Sequence, residues 1–238
     1  MRTGNSTGRP TSPSGSAPPE RHRSRRRGGP PLPMPALAYA ALTMAGAVTH
    51  PGVRLSDNAP AVLDTLQQHH VLATVSATLL VASAAPLAVW TAAVSHRLRS
   101  IGPHVAAPAI ALVGGVVAAG SLLFSGLLAW GSAESASLGD AALVRAMSTL
   151  SFGFGGVGFA LGTSLLLAGV AVPSLILRLV PRWLTIFGLT IAVAGAVSII
   201  SLLVPALDVL LPVTRFGGLV FLLAISVALP ISRRPARS

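Results

Sequence analysis

Six long apolar runs, about 32–49, 71–94, 105–130, 149–174, 183–204 and 212–232, govern what this chain can fold into. The middle four contain no Asp, Glu, Lys, Arg or His. A helix rises about 1.5 Å per residue, so about 20 residues cover ~30 Å of hydrocarbon, and each run is near or above that length. The apolar residues stand in continuous blocks, not in the one-sided stripes of a surface helix, which points to lipid as the solvent. Composition agrees: of 238 residues, 52% are hydrophobic and 10% charged, too little charge to cover a soluble domain of this size. The expected fold is all-α, a polytopic transmembrane helical bundle of six spans. Its first span is the weakest, interrupted early by Pro33 and Pro35.

Charge sets the expected orientation. All 17 basic residues are arginine. With the amino terminus inside, fourteen fall on the cytoplasmic side: seven between Arg2 and Arg27, then Arg97, Arg99, Arg178, Arg182, Arg233, Arg234 and Arg237. Arg54, Arg145 and Arg215 fall outside, with the acids Asp57, Asp64, Glu134, Asp140 and Asp208. Arginine excess on one side is the orienting signal, so both termini are expected inside, with the protein in the cell inner (plasma) membrane. Residues 1–31, rich in Arg, Pro, Ser and Gly, read as a disordered cytoplasmic tail, 32–232 as the transmembrane domain and 233–238 as a basic cytoplasmic tail. An arginine-rich start followed by Ala45-Gly46-Ala47 also spells a cleavable signal peptide, with an unusually long leader; cleavage would leave five spans on the same sides. Trp90, Trp130 and Trp183 each lie at the end of an expected span, where indoles anchor at the membrane–water boundary.

The stretch FGFGGVGFALG (152–162) contains Gly153-x-Gly155-x-x-Gly158, the spelling of a dinucleotide-binding loop. That fingerprint needs a buried strand before it and an acidic residue about 20 positions after it. LVRAMSTLS precedes it instead, and no acid follows before Asp208. A nucleotide there would also leave its phosphates beside hydrocarbon. Read as a helix, Ser151, Gly155, Gly158, Gly162 and Gly169 fall on one face, a helix-packing seam of the small residues that let backbones approach in lipid. Ala111, Gly115 and Ala119 offer a matching strip on the third span, and Gly188, Ala192 and Ala196 one on the fifth. Spacing leaves open whether the seam joins helices of one molecule or of two.

Chemistry has few places to sit. There is no cysteine, hence no disulfide or thiolate site. The net charge of +11 lies in topology positions rather than in a nucleic-acid patch, so no nucleic-acid partner is expected; RHRSRRR (21–27) suits anionic headgroups at ~1 kcal/mol per basic residue. Coupled transporters keep ionisable groups at mid-bilayer, and here Arg215, near the edge of the last span with Asp208 as its expected partner, comes nearest. Pro86 and Pro108 are expected to kink spans two and three, which leaves room for a cavity. Asn58 and Pro60 start an expected helix over 58–70, whose Val62, Leu63 and Leu66 need cover. His50, Asp64, His69 and His70 carry metal-ligand chemistry, but adjacent helical histidines diverge by about 100°. No G-x-S-x-G or H-E-x-x-H motif is present, and no cofactor is expected. LRSIGPHVAAPAIALVGG (98–115) and LRLVPRWLTIFGLTIAVAG (177–195) form a weak internal echo.

From TSLLLAGVAVPSLILRLVPRWLTIFGL (163–189) to the terminal arginines, with Pro181-Arg182-Trp183-Leu184 followed by Gly188-Leu189, the last third of the chain resembles uncharacterised bacterial multi-pass membrane proteins. The resemblance implies a six-helix inner-membrane protein and carries over no catalytic or binding residues. The leading expectation is a non-enzymatic membrane protein that acts through helix packing or partner contact, with the lipid bilayer and a membrane-protein partner or a second copy as partners. The alternative is a small neutral-solute permease or lipid-binding protein.

Overall fold

The structure, a computed structural model, describes residues 32–53, 57–101 and 106–229. The two expected tails, 1–31 and 233–238, lie outside the described residues. What is described is helical, with no strand among those residues: α1 (Pro33–Thr49), α2 (Ala59–Gln68), α3 (His70–Ile101), α4 (Ala107–Ser135), α5 (Ala141–Gly153), α6 (Phe159–Ile176), α7 (Arg182–Val197) and α8 (Leu210–Ala228). A π-helical turn, Phe154–Gly158, joins α5 to α6 without a break. Short 3-10 segments extend α4 (Ala136–Leu138) and α7 (Ser198–Leu202) and lead into α8 (Pro205–Val209). Five of the resulting rods are long and apolar enough to cross a membrane: His70–Ser100, Ala107–Leu138, Ala141–Ile176, Arg182–Leu202 and Leu207–Ala228. Helix α1, at the place of the first expected span, has 17 residues. That is about 25 Å, short of the ~30 Å hydrocarbon core.

The rods stand in a closed ring in chain order. Helix α1 packs on α3, α3 on α4, α4 on α6, α6 on α7 and α7 on α8, and α1 returns against α8. Leu87, Leu122, Leu166, Leu167, Phe221 and Ile225 meet in the shared core. Polar residues buried inside are nearly all Ser and Thr, while Val113, Val116, Phe124, Ile176 and Val227 face outward. Large apolar side chains outside and hydroxyls inside invert the soluble pattern, as expected where the surroundings are lipid.

Local sequence explains the ends. Asn58 caps α2 by accepting from Ala61 N at 3.0 Å, with Pro60 in the first turn, and α2 is separated from α3 only by a break at His69. Asp140 caps α5 through Ala142 N and Leu143 N, at 3.0 and 3.1 Å. Helix α6 closes with Leu179 N donating to Ser174 O and Arg178 N to Leu175 O. Arg178 there has φ 50, the left-handed position usually taken by glycine. Arg97 is buried and donates to Leu229 O at 3.4 Å, setting a cation at the carboxyl end of α8.

Three expectations change. Trp90 is 1% exposed and its indole N–H donates to Ser226 Oγ at 2.7 Å, so it ties α3 to α8 inside the bundle instead of anchoring at a boundary. The reason is length: α3 runs to Ile101, well past the expected end at 94. Trp130 and Trp183 are exposed. Pro86 does lie inside α3, but Pro108 sits in the first turn of α4, where it costs no hydrogen bond. The internal echo does not extend to the turns, since Leu98 and Arg99 still belong to α3 whereas Leu177 and Arg178 end α6.

Candidate functional site

Helix α4 lies between α3 and α6. Ser151, Gly155, Gly158, Gly162 and Gly169 all meet it. Ser125 Oγ donates to Ser151 O and Ser151 Oγ to Ser125 O, both at 2.8 Å. Gly155 also lies against Ser125, and a Cβ on Gly158 would come to 3.0 Å from Ser121 Oγ. Deeper in, the contacts are with backbone. A Cβ on Gly162 would stand 2.8 Å from Ala118 Cα and 2.9 Å from Gly114 O, and one on Gly169 equally close to Ala111 Cα and Ala107 O. These glycines therefore face a helix of the same molecule.

The partner strip differs from the expected one. On α4 it runs through Ala111, Gly114, Ala118, Ser121 and Ser125, while Gly115 turns to Thr91 of α3. Gly114 and Gly115 diverge by about 100°, so two neighbouring helices each take one. On α7, Gly188 lies against Phe221 of α8 and Gly195 against Ser164 and Thr214, but Ala196 is exposed. Ser132 Oγ, 2.8 Å from Ser148 Oγ, continues the hydroxyl contact toward α5. The sequence reading passed over Ser121, Ser125 and Ser132, although their spacing of four and seven on one helix was the available signal.

A second feature was not anticipated at all. Phe154–Gly158, within the glycine-rich stretch, is π-helical, a geometry frequent at functional sites. The ring of Phe159, which follows it, carries the Arg215 guanidinium carbon 5.5 Å from its centroid. No ion pair joins Arg215 to Asp208, contrary to expectation. Asp208 stands seven residues before Arg215, about 10 Å up the axis at about 1.5 Å per residue, beyond the reach of an ion pair between the two.

Arg215 is partly buried and lies within electrostatic reach of Tyr39 on α1 and His50 at its end. Tyr39 and Thr43, one turn apart on α1, are 1% and 2% exposed, and Thr163 on α6 is 2% exposed. The Thr163 hydroxyl has no hydrogen-bond partner, and those of Tyr39 and Thr43 approach only each other. Gly218, one turn below Arg215, faces the Thr163 methyl, which places that residue opposite α8. An arginine at the centre of a membrane helix costs roughly 2.5–3.5 kcal/mol. Toward a helix end the cost is smaller, and the cation–π contact with Phe159 offsets roughly 0.5–2 kcal/mol of it. The imidazole Nδ1 of His50 accepts from Gly52 N at 3.0 Å. Packing around the ring, whose outer edge stays exposed, and then the Arg215 charge push its pKa below the ordinary value.

At the same end, α2 lays Val62 and Leu66 on Ala133, Ala136 and Val144, which supplies the cover they need. Gln67 Nε2 donates to Ala136 O at 2.8 Å, and His70 Nε2 lies 3.6 Å from Glu134. Asp64 accepts from Gln68 Nε2, and the His69 ring contacts Thr65 O. These side chains are thus spent on separate partners, and among the described residues no three of His, Cys, Asp or Glu converge on a common point.

Comparison with family models, curated proteins and solved structures finds no match for this chain.

Proposed function

We propose that the chain is a six-span protein of the cell inner (plasma) membrane, with both termini in the cytoplasm, and that it acts without catalysis through contact with membrane partners. The observation that carries this reading is the use of the small-residue faces. The Gly162 and Gly169 faces are consumed inside the molecule against α4, leaving an outer surface of large apolar side chains such as Val113, Val116, Phe124 and Ile186 to meet lipid or another protein. Helix α1 supports a sixth span because it fills the place between α3 and α8 and covers the core from there. The distribution of arginines supports the orientation. The resemblance to uncharacterised bacterial multi-pass proteins belongs to the same reading. Its Pro181-Arg182-Trp183 turn starts α7, and its Gly188 receives Phe221.

A second reading, a permease for neutral solutes or a lipid-binding protein, draws on the unpartnered hydroxyls of Tyr39, Thr43, Thr91, Ser95 and Thr163 within the bundle. Crosslinking in native membranes, followed by identification of captured proteins, tests the first reading, which expects a reproducible partner or a second copy. Purified protein in liposomes tests the second. Selective flux of a neutral solute with no captured partner overturns the first.

A further inference from the structure

We propose that the junction of α1, α6 and α8 binds the anionic headgroup of a membrane amphiphile, a phosphate or a carboxylate, with Arg215 as its charge partner and the hydroxyls of Tyr39, Thr43 and Thr163 as neutral donors. The donor inventory sets the ligand chemistry. A guanidinium offers five N–H groups and accepts nothing, and each hydroxyl has an O–H to give. The three are almost fully buried on the two helices that flank Arg215, Thr163 without a partner and Tyr39 and Thr43 with only each other. Buried donors of this kind are satisfied in folded proteins, by protein, water or ligand. A ligand group that only accepts, and carries the charge the chain does not supply here, fits the whole set.

Position selects the source. Arg215 lies five residues into α8, about 8 Å below its start at about 1.5 Å per residue. That depth suits a headgroup sitting at the level of the helix end with its chains running down the bundle. The aqueous surface above gathers all the acidic residues of the loops, so an anion arriving from water meets like charge, whereas one arriving laterally from the leaflet does not. Phe216, exposed next to Arg215, and the apolar outer face of α8 offer a surface for acyl chains. The assignment is independent of the partner-contact reading and stands or falls on lipid selectivity alone.

The test uses the full chain in phosphatidylcholine vesicles doped with spin-labelled phosphatidylglycerol, stearic acid or phosphatidylcholine. It is run at about 1 M salt, where the Debye length of about 3 Å suppresses attraction to the arginines of segment 21–27. The wild type is expected to prefer a labelled anionic lipid about tenfold over phosphatidylcholine, the worth of one hydrogen bond to a charged group. Arg215→Gln should reduce that preference to about twofold, and Tyr39→Phe with Thr43→Val to about threefold. The hydroxyl variants keep the test decisive if Arg215→Gln does not fold. Preference for either the phosphate or the carboxylate lipid supports the site. An indifferent wild type, or variants that keep the full preference, overturn it. Displacement of the labelled lipid by millimolar inorganic phosphate overturns the amphiphile as the occupant.

Discussion

Along one face of the α5–α6 rod, Gly162 and Gly169 bring the chain against α4 at distances that exclude even a methyl group. Along another face of the same rod, Phe159 and Thr163 look across to α8, where the Arg215 guanidinium rests on the Phe159 ring near the buried hydroxyls of Tyr39, Thr43 and Thr163. The first wall is specified by shape, because in lipid no hydrophobic gain draws helices together and close backbone contact supplies the attraction. The second is specified by polarity, and as a wall it is poorly made. Unpaired donors cost roughly 1–3 kcal/mol each in a buried site, so the α1–α8 side gives up stability that the α4–α6 side retains. A fold that closes one side so tightly and leaves the other unsatisfied separates a structural seam from the proposed headgroup site.

The sharpest way to break this contrast is Gly162→Ile. Overpacking against backbone should cost about 3 kcal/mol or more, read as a large drop in the thermal midpoint of the detergent-solubilised protein. Gly153→Ala is the control, since a Cβ there meets nothing within 4 Å. It should leave stability unchanged or raise it by up to about 1 kcal/mol. Equal midpoints for the two variants would remove the seam from the account.

On the other wall the sign reverses. Tyr39→Phe deletes a buried hydroxyl that approaches only Thr43, so in lipid-free detergent it should stabilise the protein by up to about 1 kcal/mol while weakening anionic-lipid selectivity. A loss of stability would mean that the hydroxyl is already bonded. Ser125→Ala, back at the seam, should cost about 0.6 kcal/mol, the usual worth of a hydrogen bond between membrane helices. A double-mutant cycle with Ser151→Ala should show the two serines coupled, and additive losses would deny their exchange.

The smallest effect is a titration. His50 should titrate below the usual histidine value of about 6.5, and Arg215→Gln should raise its midpoint by removing a nearby positive charge. The sign for stability follows from linkage. As pH falls through the ordinary value, the unfolded imidazole takes up its proton before the folded one does, so the His50 contribution is present above that pH and lost below it. NMR of the ring in wild type and variant decides the matter, and identical midpoints would place Arg215 away from α1.

Much of the fold was legible from local pattern. Five of the six long apolar runs fall on membrane-length rods, Asn58 and Pro60 mark the start of α2, and a helical period of 3.6 puts Ser151, Gly155, Gly158, Gly162 and Gly169 on one face. Each of these depends only on residues within a few turns of one another. Boundaries were less readable, because α4 and α5 extend beyond the hydrocarbon-length windows where α2 packs on them, while α3 runs on to Ile101 at the opposite end, where Arg97 donates to Leu229 O.

What the chain's residues determine by themselves is therefore the helical class, the rod lengths and which face of the glycine-rich helix is small. Only the assembled bundle decides that Gly114 rather than Gly115 meets α6, that Trp90 is buried against Ser226, that FGGVG winds as a π turn, and that Arg215 rests on Phe159 instead of pairing with Asp208. The physical reason is range. Periodicity and capping act along the chain, whereas the choice of neighbour for a side chain depends on which distant helix arrives beside it and on the rotation that close packing imposes.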